Sequence, residues 1–277
     1  MSESINPFAA RRTWGPTCRY PSVLGIPKIQ HDFIAIAGPC AIESSEQVHD
    51  ICKVLSGLDI TFMRGGVFRA GTYPPNGPFG LQTDSLQEWW MQARSFGIKI
   101  IVEVIDIRDL DMLSQYADGF QVGARQSQGY VILSELANCG KTVTLKRGKG
   151  DTLDEFLGAA EYLARGNCKP ILIERGGASY LNHVRWEPSI SLIAAIKRMT
   201  GLPIIIDASH GTGRRDLVGP VTLAGIAAGA DGCLIETHPT PELSYSDADQ
   251  AIPLAEFPAL LARARFLHRT LREWERP

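Results

Sequence analysis

Apolar residues along the chain are grouped in eight short runs, and each run ends in a charged residue or in a Cys or His. A segment with helical spacing follows each run, so the pattern predicts strand and helix alternating eight times. This alternation predicts an α/β fold whose parallel sheet closes into a (β/α)8 TIM barrel. The runs are 32–40, 60–64, 98–103, 118–125, 141–147, 170–175, 203–210 and 231–238.

The chain has 277 residues, about the length of one such barrel. Residues 1–30 show no strong periodicity and are expected to form an N-terminal arm, whose segment 22–30 would be a hairpin at the bottom of the barrel. Residues 31–277 would form a single catalytic barrel. Helix starts are marked by Ser44 or Ser45 as an N-cap and by a capping box from Thr152 to Glu155.

Composition narrows the possible partners. The net charge is -2 at pH 7, so we expect neither nucleic acid nor a membrane among them. No apolar run is long enough to span a bilayer, and the first residues lack the apolar core of a signal peptide, so we expect a cytoplasmic protein. The six cysteines have no short paired spacing and are expected as thiols. We also expect a homo-oligomer.

In a closed barrel the carboxyl ends of the strands meet at one mouth, where catalytic residues lie. Cys40, His210 and Glu236 lie at the ends of the first, seventh and eighth predicted strands, which become neighbours on closure. Asp247 follows in the loop after the eighth strand. Each residue alone is commonly structural, but one sulfur, one nitrogen and two carboxylates together suit Mn, Fe, Co or Zn. They predict a metal centre that polarises a substrate carbonyl.

Cations are predicted on the other side of the mouth. Predicted strands four to six end in Arg125, Lys146, Arg147 and Arg175. With Arg64 at the end of strand two, these cations predict a small ligand carrying two or three negative charges, because arginine forks bind carboxylate and phosphate. A salt-bridge network is the alternative. The glycine-rich turn 211–215 opens a helix, where backbone N–H groups, Arg214 and Arg215 favour a second anion such as phosphate.

Short motifs at these positions resemble a known family. They read AGPCAIES at 37–44, RGG at 64–66, QVGARQSQ at 121–128, LKRG at 145–148, ERG at 174–176, DASHGTGRRDLV at 207–218, ETHP at 236–239 and SDADQ at 246–250. Together they resemble the compact, type I-beta class of 3-deoxy-D-arabino-heptulosonate 7-phosphate (DAHP) synthase, whose relatives include the 3-deoxy-octulosonate 8-phosphate synthases. The resemblance covers nearly all of residues 33–250.

The resemblance implies a metal-dependent, aldol-like condensation of phosphoenolpyruvate with an aldose phosphate or related aldehyde, as in the shikimate pathway of aromatic amino acid biosynthesis. It assigns the metal to the four residues named above and phosphoenolpyruvate to Arg125, Lys146 and Arg175, with Lys146 also a catalytic candidate. Glu103, at the end of the third predicted strand, would position or deprotonate the water that adds to phosphoenolpyruvate. A metal-independent branch of the relatives has Asn at the position of Cys40, so Cys40 argues against that branch.

The loop after the second strand departs from the family pattern. Family members carry Lys-Pro-Arg-Thr there, in which Lys contacts the reacting groups and Arg and Thr hold the aldose phosphate. This chain has Arg69, Ala70, Gly71 and Thr72. Arg69 is kept as a catalytic candidate and Thr72 as a substrate-binding one, but glycine offers no fork for a phosphate. We therefore expect a nonstandard acceptor, as in specialised metabolism, or a different way of holding erythrose 4-phosphate.

Two other functions are open at this point. A Schiff-base aldolase would use Lys146 as its nucleophile and need no metal. A noncatalytic barrel would bind a sugar phosphate or a partner enzyme as a regulator. Borohydride trapping tests the first function, and consumption of phosphoenolpyruvate tests the second.

Overall fold

The structure is a computed structural model that describes residues 21–27, 31–67 and 85–274. Its strands are β1 (Ile34–Gly38), β2 (Phe62–Arg64), β3 (Lys99–Glu103), β4 (Gly119–Val122), β5 (Thr142–Lys146), β6 (Lys169–Glu174), β7 (Ile204–Ile206), β8 (Gly232–His238) and β9 (Ile252–Pro253). Its α-helices are α1 (Pro21–Gly25), α2 (Ser45–Ser56), α3 (Leu86–Ser95), α4 (Leu110–Tyr116), α5 (Tyr130–Ala137), α6 (Leu153–Ala164), α7 (Ile190–Met199), α8 (Ala208–Thr212), α9 (Arg215–Ala227) and α10 (Phe257–Trp274). Within the described ranges, 3₁₀ helices span Ile107–Asp109 and Pro241–Leu243.

Strands β1 to β8 pair in chain order, all in parallel, and β1 pairs with β8 to close the ring. The short strand β9 pairs with β8 outside the ring. The predicted (β/α)8 barrel is therefore confirmed. Among the described residues, no helix combines the length and the apolar character that a membrane span requires.

The two predicted helix starts are present. Ser44 is the N-cap of α2, and its side chain accepts a hydrogen bond from the backbone of Gln47. Thr152 and Glu155 form the expected capping box at the start of α6. Both caps satisfy N–H groups that the first turn of a helix leaves without partners.

The expected hairpin before β1 is wrong where the structure describes that segment, because Pro21–Gly25 form a turn of helix. The backbone N–H groups of Ser22 and Val23 donate to the Glu161 carboxylate on α6, at 3.2 and 2.9 Å. Val23 is completely buried. This helical turn is therefore held on the barrel by apolar packing of Val23 and by the Glu161 carboxylate, which accepts hydrogen bonds from the first N–H groups of the turn. The boundary between an arm at 1–30 and a barrel at 31–277 stays a prediction.

The inside of the barrel contains its own apolar cluster, separate from the layer between strands and helices. Its buried members are Ile36, Ile101, Ile171, Ile173, Ile205 and Leu234. Because strand side chains alternate between faces, the residue two positions beyond an inward one also faces inward, one layer nearer the mouth. By this rule Glu103, two positions after Ile101, and Glu236, two positions after Leu234, face inward near the mouth. The interior packing thus determines which polar side chains line the mouth.

Candidate active site and metal centre

Four side chains converge at the mouth around the ends of β1, β7 and β8. Cys40, His210, Glu236 and Asp247 each contribute one ligand atom, and these atoms all lie within 4.8 Å of one another. The Cys40 Sγ is 3.9 Å from the His210 Nε2, which is 3.4 Å from the Glu236 Oε2. Asp247 reaches the cluster from the loop after β8, where its φ is 57°. The structure brings together all four residues that the sequence proposed as ligands.

The chemistry of this cluster fits a divalent cation. Burial, together with nearby Asp247, raises the pKa of Glu236 to about 8, although Arg64 acts in the opposite direction. Burial also raises the pKa of the Cys40 thiol and lowers that of His210 to about 4. The buried Glu236 Oε1 has no hydrogen-bond partner among the residues that the structure describes. A bound dication would stabilise the ionised carboxylate and thiolate and use the lone pair of a neutral imidazole.

Asp207, directly after β7, joins the ligand cluster to the cations. Its Oδ1 is 3.1 Å from the His210 Nδ1, and its Oδ2 is 2.8 Å from the Lys146 Nζ. Burial alone would raise the pKa of Asp207, but His210 and Lys146 hold it well below its usual range. A carboxylate that accepts from Nδ1–H leaves the His210 Nε2 lone pair available to the cluster. Asp207 was not among the predicted site residues, although it lies two positions beyond the inward Ile205.

Three of the predicted cations lie beside this network. Lys146 and Arg175 are buried, and the Lys146 Nζ is 3.5 Å from the His210 Nδ1. Arg175 donates to the backbone carbonyl of His210 at 3.0 Å, and its guanidinium lies 5.6 Å from the ring centre of Trp186. Burial lowers the pKa of Arg175 to about 10; Asp207 opposes this shift, while the cations Arg185 and Arg125 add to it. Arg125 itself is exposed. The three cations therefore lie in one region, next to the candidate metal ligands.

Arg64 and Glu103 extend the polar layer along β2 and β3. Arg64 is buried and donates to the backbone carbonyl of Pro39 at 2.8 Å. Burial would lower its pKa, but the acidic groups around it, first Cys40 and then Glu236, raise it instead. The Glu103 Oε2 accepts from the Gln121 Nε2 at 3.0 Å. Both predicted residues therefore face the mouth.

The prediction that Arg147 binds substrate is wrong. Its Nε and Nη2 donate to the two oxygens of Glu174 at 2.5 and 2.8 Å, and its Nη1 donates to the Asp151 carbonyl at 3.2 Å. Arg147 comes one position after the inward Lys146, so it points away from the mouth. Because its fork already binds a buried carboxylate, we leave Arg147 out of the substrate site.

Arg214 and Arg215, predicted to favour a second anion, each have an acidic side-chain partner on the chain. Arg214 pairs with Asp216 and Arg215 with Glu242, each at 2.7 Å. The backbone N–H of Arg215 donates to the Asp249 carbonyl at 2.8 Å, so this helix start already has a partner within the chain. A second anion site there stays a prediction. Arg69 and Thr72 lie outside the described residues.

Fold and site together define a TIM-barrel protein with buried cations and candidate metal ligands at one mouth, and comparisons with known proteins specify its family. The model of the DAHP synthetase I family matches residues 29–267. Phospho-2-dehydro-3-deoxyheptonate aldolase of Thermotoga maritima is 38% identical over 236 residues, which cover 85% of this chain and 70% of that protein. 2-Dehydro-3-deoxyphosphooctonate aldolase of Methylococcus capsulatus is 30% identical over 271 residues, covering 88% and 92%.

Solved structures agree. A crystal structure of the Thermotoga maritima DAHP synthase matches with a TM-score of 0.81 at 37% identity, over 86% of this chain and 70% of that one. A truncated form of the Thermotoga maritima enzyme matches with a TM-score of 0.78 at 36% identity, over 86% and 87%. The chain belongs to the DAHP synthetase I family and is a carbon–carbon bond-forming transferase of that kind. The expected family resemblance is confirmed, and a noncatalytic barrel is not favoured.

Proposed function

We propose that this enzyme is a metal-dependent synthase that condenses phosphoenolpyruvate with a phosphorylated aldose or related aldehyde and releases inorganic phosphate. The supporting observation is that the ligand cluster and the cations meet at one side chain. The His210 imidazole lies 3.9 Å from Cys40 through Nε2 and 3.5 Å from Lys146 through Nδ1. A carbonyl compound held at the cluster and a phosphorylated acid held by the cations would therefore be adjacent, as a bimolecular condensation requires.

Phosphoenolpyruvate would be held by Arg125, Lys146 and Arg175. Two of these cations are prepositioned: Asp207 fixes the Lys146 ammonium, and the His210 carbonyl fixes the Arg175 guanidinium. Prepositioned charge binds a polyanion without the cost of ordering long side chains. The same ion pair argues against a Schiff-base mechanism, because a lysine nucleophile must be uncharged.

Cys40, His210, Glu236 and Asp247 would hold the metal. When bound, a divalent transition metal such as Mn, Fe, Co or Zn would supply a Lewis acid that polarises the acceptor carbonyl. Asp207 would keep the imidazole in the tautomer that presents Nε2 to the metal. The thiolate and the imidazole favour a transition metal over Mg²⁺ or Ca²⁺.

Glu103 would act on the water that completes the reaction. In the bond-forming step, C3 of phosphoenolpyruvate attacks the aldehyde carbon as its C2=C3 π bond opens, and the aldehyde oxygen takes up a proton. Water then adds at C2 and gives one proton to Glu103. The C2–O bond breaks, phosphate leaves with the bridging oxygen and the electron pair, and the C2 hydroxyl loses its proton to become the keto group. Gln121 holds one oxygen of Glu103, and Gly123 makes room for the other, since a Cβ at Gly123 would lie 2.0 Å from the Glu103 Oε1.

The test is phosphate release from phosphoenolpyruvate in the presence of a panel of aldehydes. The metal-dependent reaction should stop after chelation and return when Mn²⁺, Co²⁺ or Zn²⁺ is added. Full turnover by a preparation shown to be metal-free would contradict the metal role. A stable adduct on Lys146 after borohydride treatment would instead support a Schiff base. The expected homo-oligomer stays a separate prediction, to be tested by sedimentation.

The acceptor is proposed to differ from erythrose 4-phosphate, or to be held differently. The supporting observation is the sequence that follows β2, where Gly71 stands at the position of the family's phosphate-binding arginine. Loss of a bidentate fork removes much of the discrimination for a terminal phosphate. The test compares kcat/KM for phosphorylated and unphosphorylated aldehydes. A value for erythrose 4-phosphate of about 10⁴ M⁻¹s⁻¹ or more, above all others, would restore the ordinary family activity.

A further inference from the structure

The turn that carries Asp247 also carries a buried amide. The backbone N–H groups of Gln250 and Ala251 donate to the Asp247 carbonyl, at 3.1 and 3.3 Å, so residues 247–250 form one tight turn. Gln250 is 2% exposed. Its Nε2 donates to the Oε2 of Glu236, a second candidate ligand, at 2.6 Å. One turn therefore supplies a ligand and a hydrogen bond to another ligand.

The orientation of this amide is determined by a neighbouring cation. The Gln250 Oε1 accepts from the Nη1 of Arg185, in the loop between β6 and α7, at 3.3 Å. The same Nη1 donates to the Asp247 Oδ1 at 3.1 Å. Because a guanidinium can only donate, the amide oxygen must face Arg185 and the NH₂ group must face Glu236. Gln250 therefore acts as a donor to the carboxylate.

We propose that Gln250 is a positioning residue of the metal centre, whose amide, oriented by Arg185, holds the Glu236 carboxylate in place as a ligand. With Oε2 held, the second oxygen, Oε1, is the buried atom left without a hydrogen-bond partner among the described residues. A neutral donor fixes the carboxylate without adding positive charge beside a dication. The inference rests on the proposed metal site and assigns a role to a residue outside the four ligands.

The experiment measures binding of Co²⁺ to metal-free protein by chelator competition and by the thiolate-to-cobalt absorption band. Gln250→Met keeps the volume and removes both hydrogen bonds, and should raise the Kd for Co²⁺ by about 10- to 100-fold and alter the band. Gln250→Asn keeps the amide but shortens its reach, so it should also bind Co²⁺ more weakly than the wild type. The melting temperature of each metal-free variant shows whether it is folded.

The matched control is Gln121→Met. Gln121 is equally buried and donates to the Glu103 carboxylate at 3.0 Å in the same mouth, but Glu103 is outside the ligand cluster. Its Co²⁺ affinity should equal that of the wild type. If both folded Gln250 variants bind Co²⁺ with the wild-type Kd and spectrum, or if Gln121→Met weakens binding as much as they do, the role of Gln250 is refuted. If the wild type itself does not bind Co²⁺, the metal site fails instead.

Discussion

The two sides of the barrel mouth handle buried charge in different ways. On the metal side, defined by Cys40, His210, Glu236 and Asp247, a thiol and two carboxylates lie around one imidazole, and the ligand atoms are within 4.8 Å of one another. On the cation side, defined by Arg125, Lys146 and Arg175, Arg125 is exposed and the buried Lys146 is paired with the carboxylate of Asp207. Arg175 instead donates to a backbone carbonyl. Clustered like charges favour a bound ion of opposite sign, whereas a cation with a carboxylate partner is stabilised by the fold itself.

The largest expected effect is on the metal side. Cys40→Ala deletes the soft ligand. Loss of a residue that only hydrogen-bonds a ligand weakens metal binding by up to about 100-fold, and Cys40→Ala should weaken Co²⁺ binding by more than that. It should also abolish phosphate release. The measurement is chelator competition followed by an activity assay. Cys52→Ala is the matched control, since Cys52 is a buried thiol whose Sγ contacts the Met63 Sδ at 3.8 Å. Equal Co²⁺ affinity in both variants would show that Cys40 is only a packing residue.

Arg147 tests the distinction between a structural cation and a ligand-binding one. Arg147→Met leaves Glu174 buried without its partner, although the N–H groups of Gly176 and Ser189 still donate to it. Breaking a buried pair costs about 3 to 5 kcal/mol, so the free energy of unfolding should fall by that order. Denaturant titration measures the loss. In the folded variant the Kd for phosphoenolpyruvate should be unchanged, and a large rise would return Arg147 to the substrate site.

Arg175 should behave in the opposite way. Arg175→Ala removes a charged hydrogen-bond donor worth about 1.5 to 3 kcal/mol, so phosphoenolpyruvate should bind roughly 10- to 100-fold more weakly, by calorimetry. Stability should change less than in Arg147→Met. Arg94→Ala is a suitable control, because Arg94 pairs with Asp118 at 2.5 Å and is half exposed. Unchanged affinity in Arg175→Ala would assign this cation a structural role.

The alternation of strand residues accounts for much of what the sequence could predict. Apolar runs indicated eight strands, and their ends indicated which side chains share a mouth. The run ending in Lys146 and Arg147 shows the limit of that reasoning, because two adjacent residues cannot both face inward. In the pairing of β5 with β6, Lys146 lies opposite Ile173, an inward residue. Extending the inward layer of the barrel from this residue would have excluded Arg147.

The same rule would have found Asp207 but not Gln250. Asp207 lies two positions beyond the inward Ile205, whereas Gln250 lies in a loop where no strand or helix period applies. Its contact with Arg185 joins two loops 65 residues apart. Such a contact depends on how both loops close over the mouth, and a local sequence pattern contains no information about that closure. The Arg215–Glu242 pair was unpredictable for the same reason.

The smallest expected effect lies outside both sides of the mouth and concerns the pH dependence of stability. His268 on α10 is largely buried and packs edge-to-face on Phe33, just before β1, with ring centres 5.2 Å apart. Burial lowers the pKa of His268 to about 4; Arg272 and Lys197 add to this shift, while Asp231 and Asp32 oppose it.

Between pH 4 and the usual histidine value of about 6.5, the unfolded chain therefore binds more protons at this position than the folded one, and stability rises with pH. The melting temperature of the wild type should fall as the pH drops through this interval, and His268→Gln should flatten that part of the curve. Differential scanning calorimetry at several pH values measures it. A variant whose pH dependence matches the wild type would show that the acid sensitivity arises elsewhere, with the titrating groups of the mouth as the next candidates.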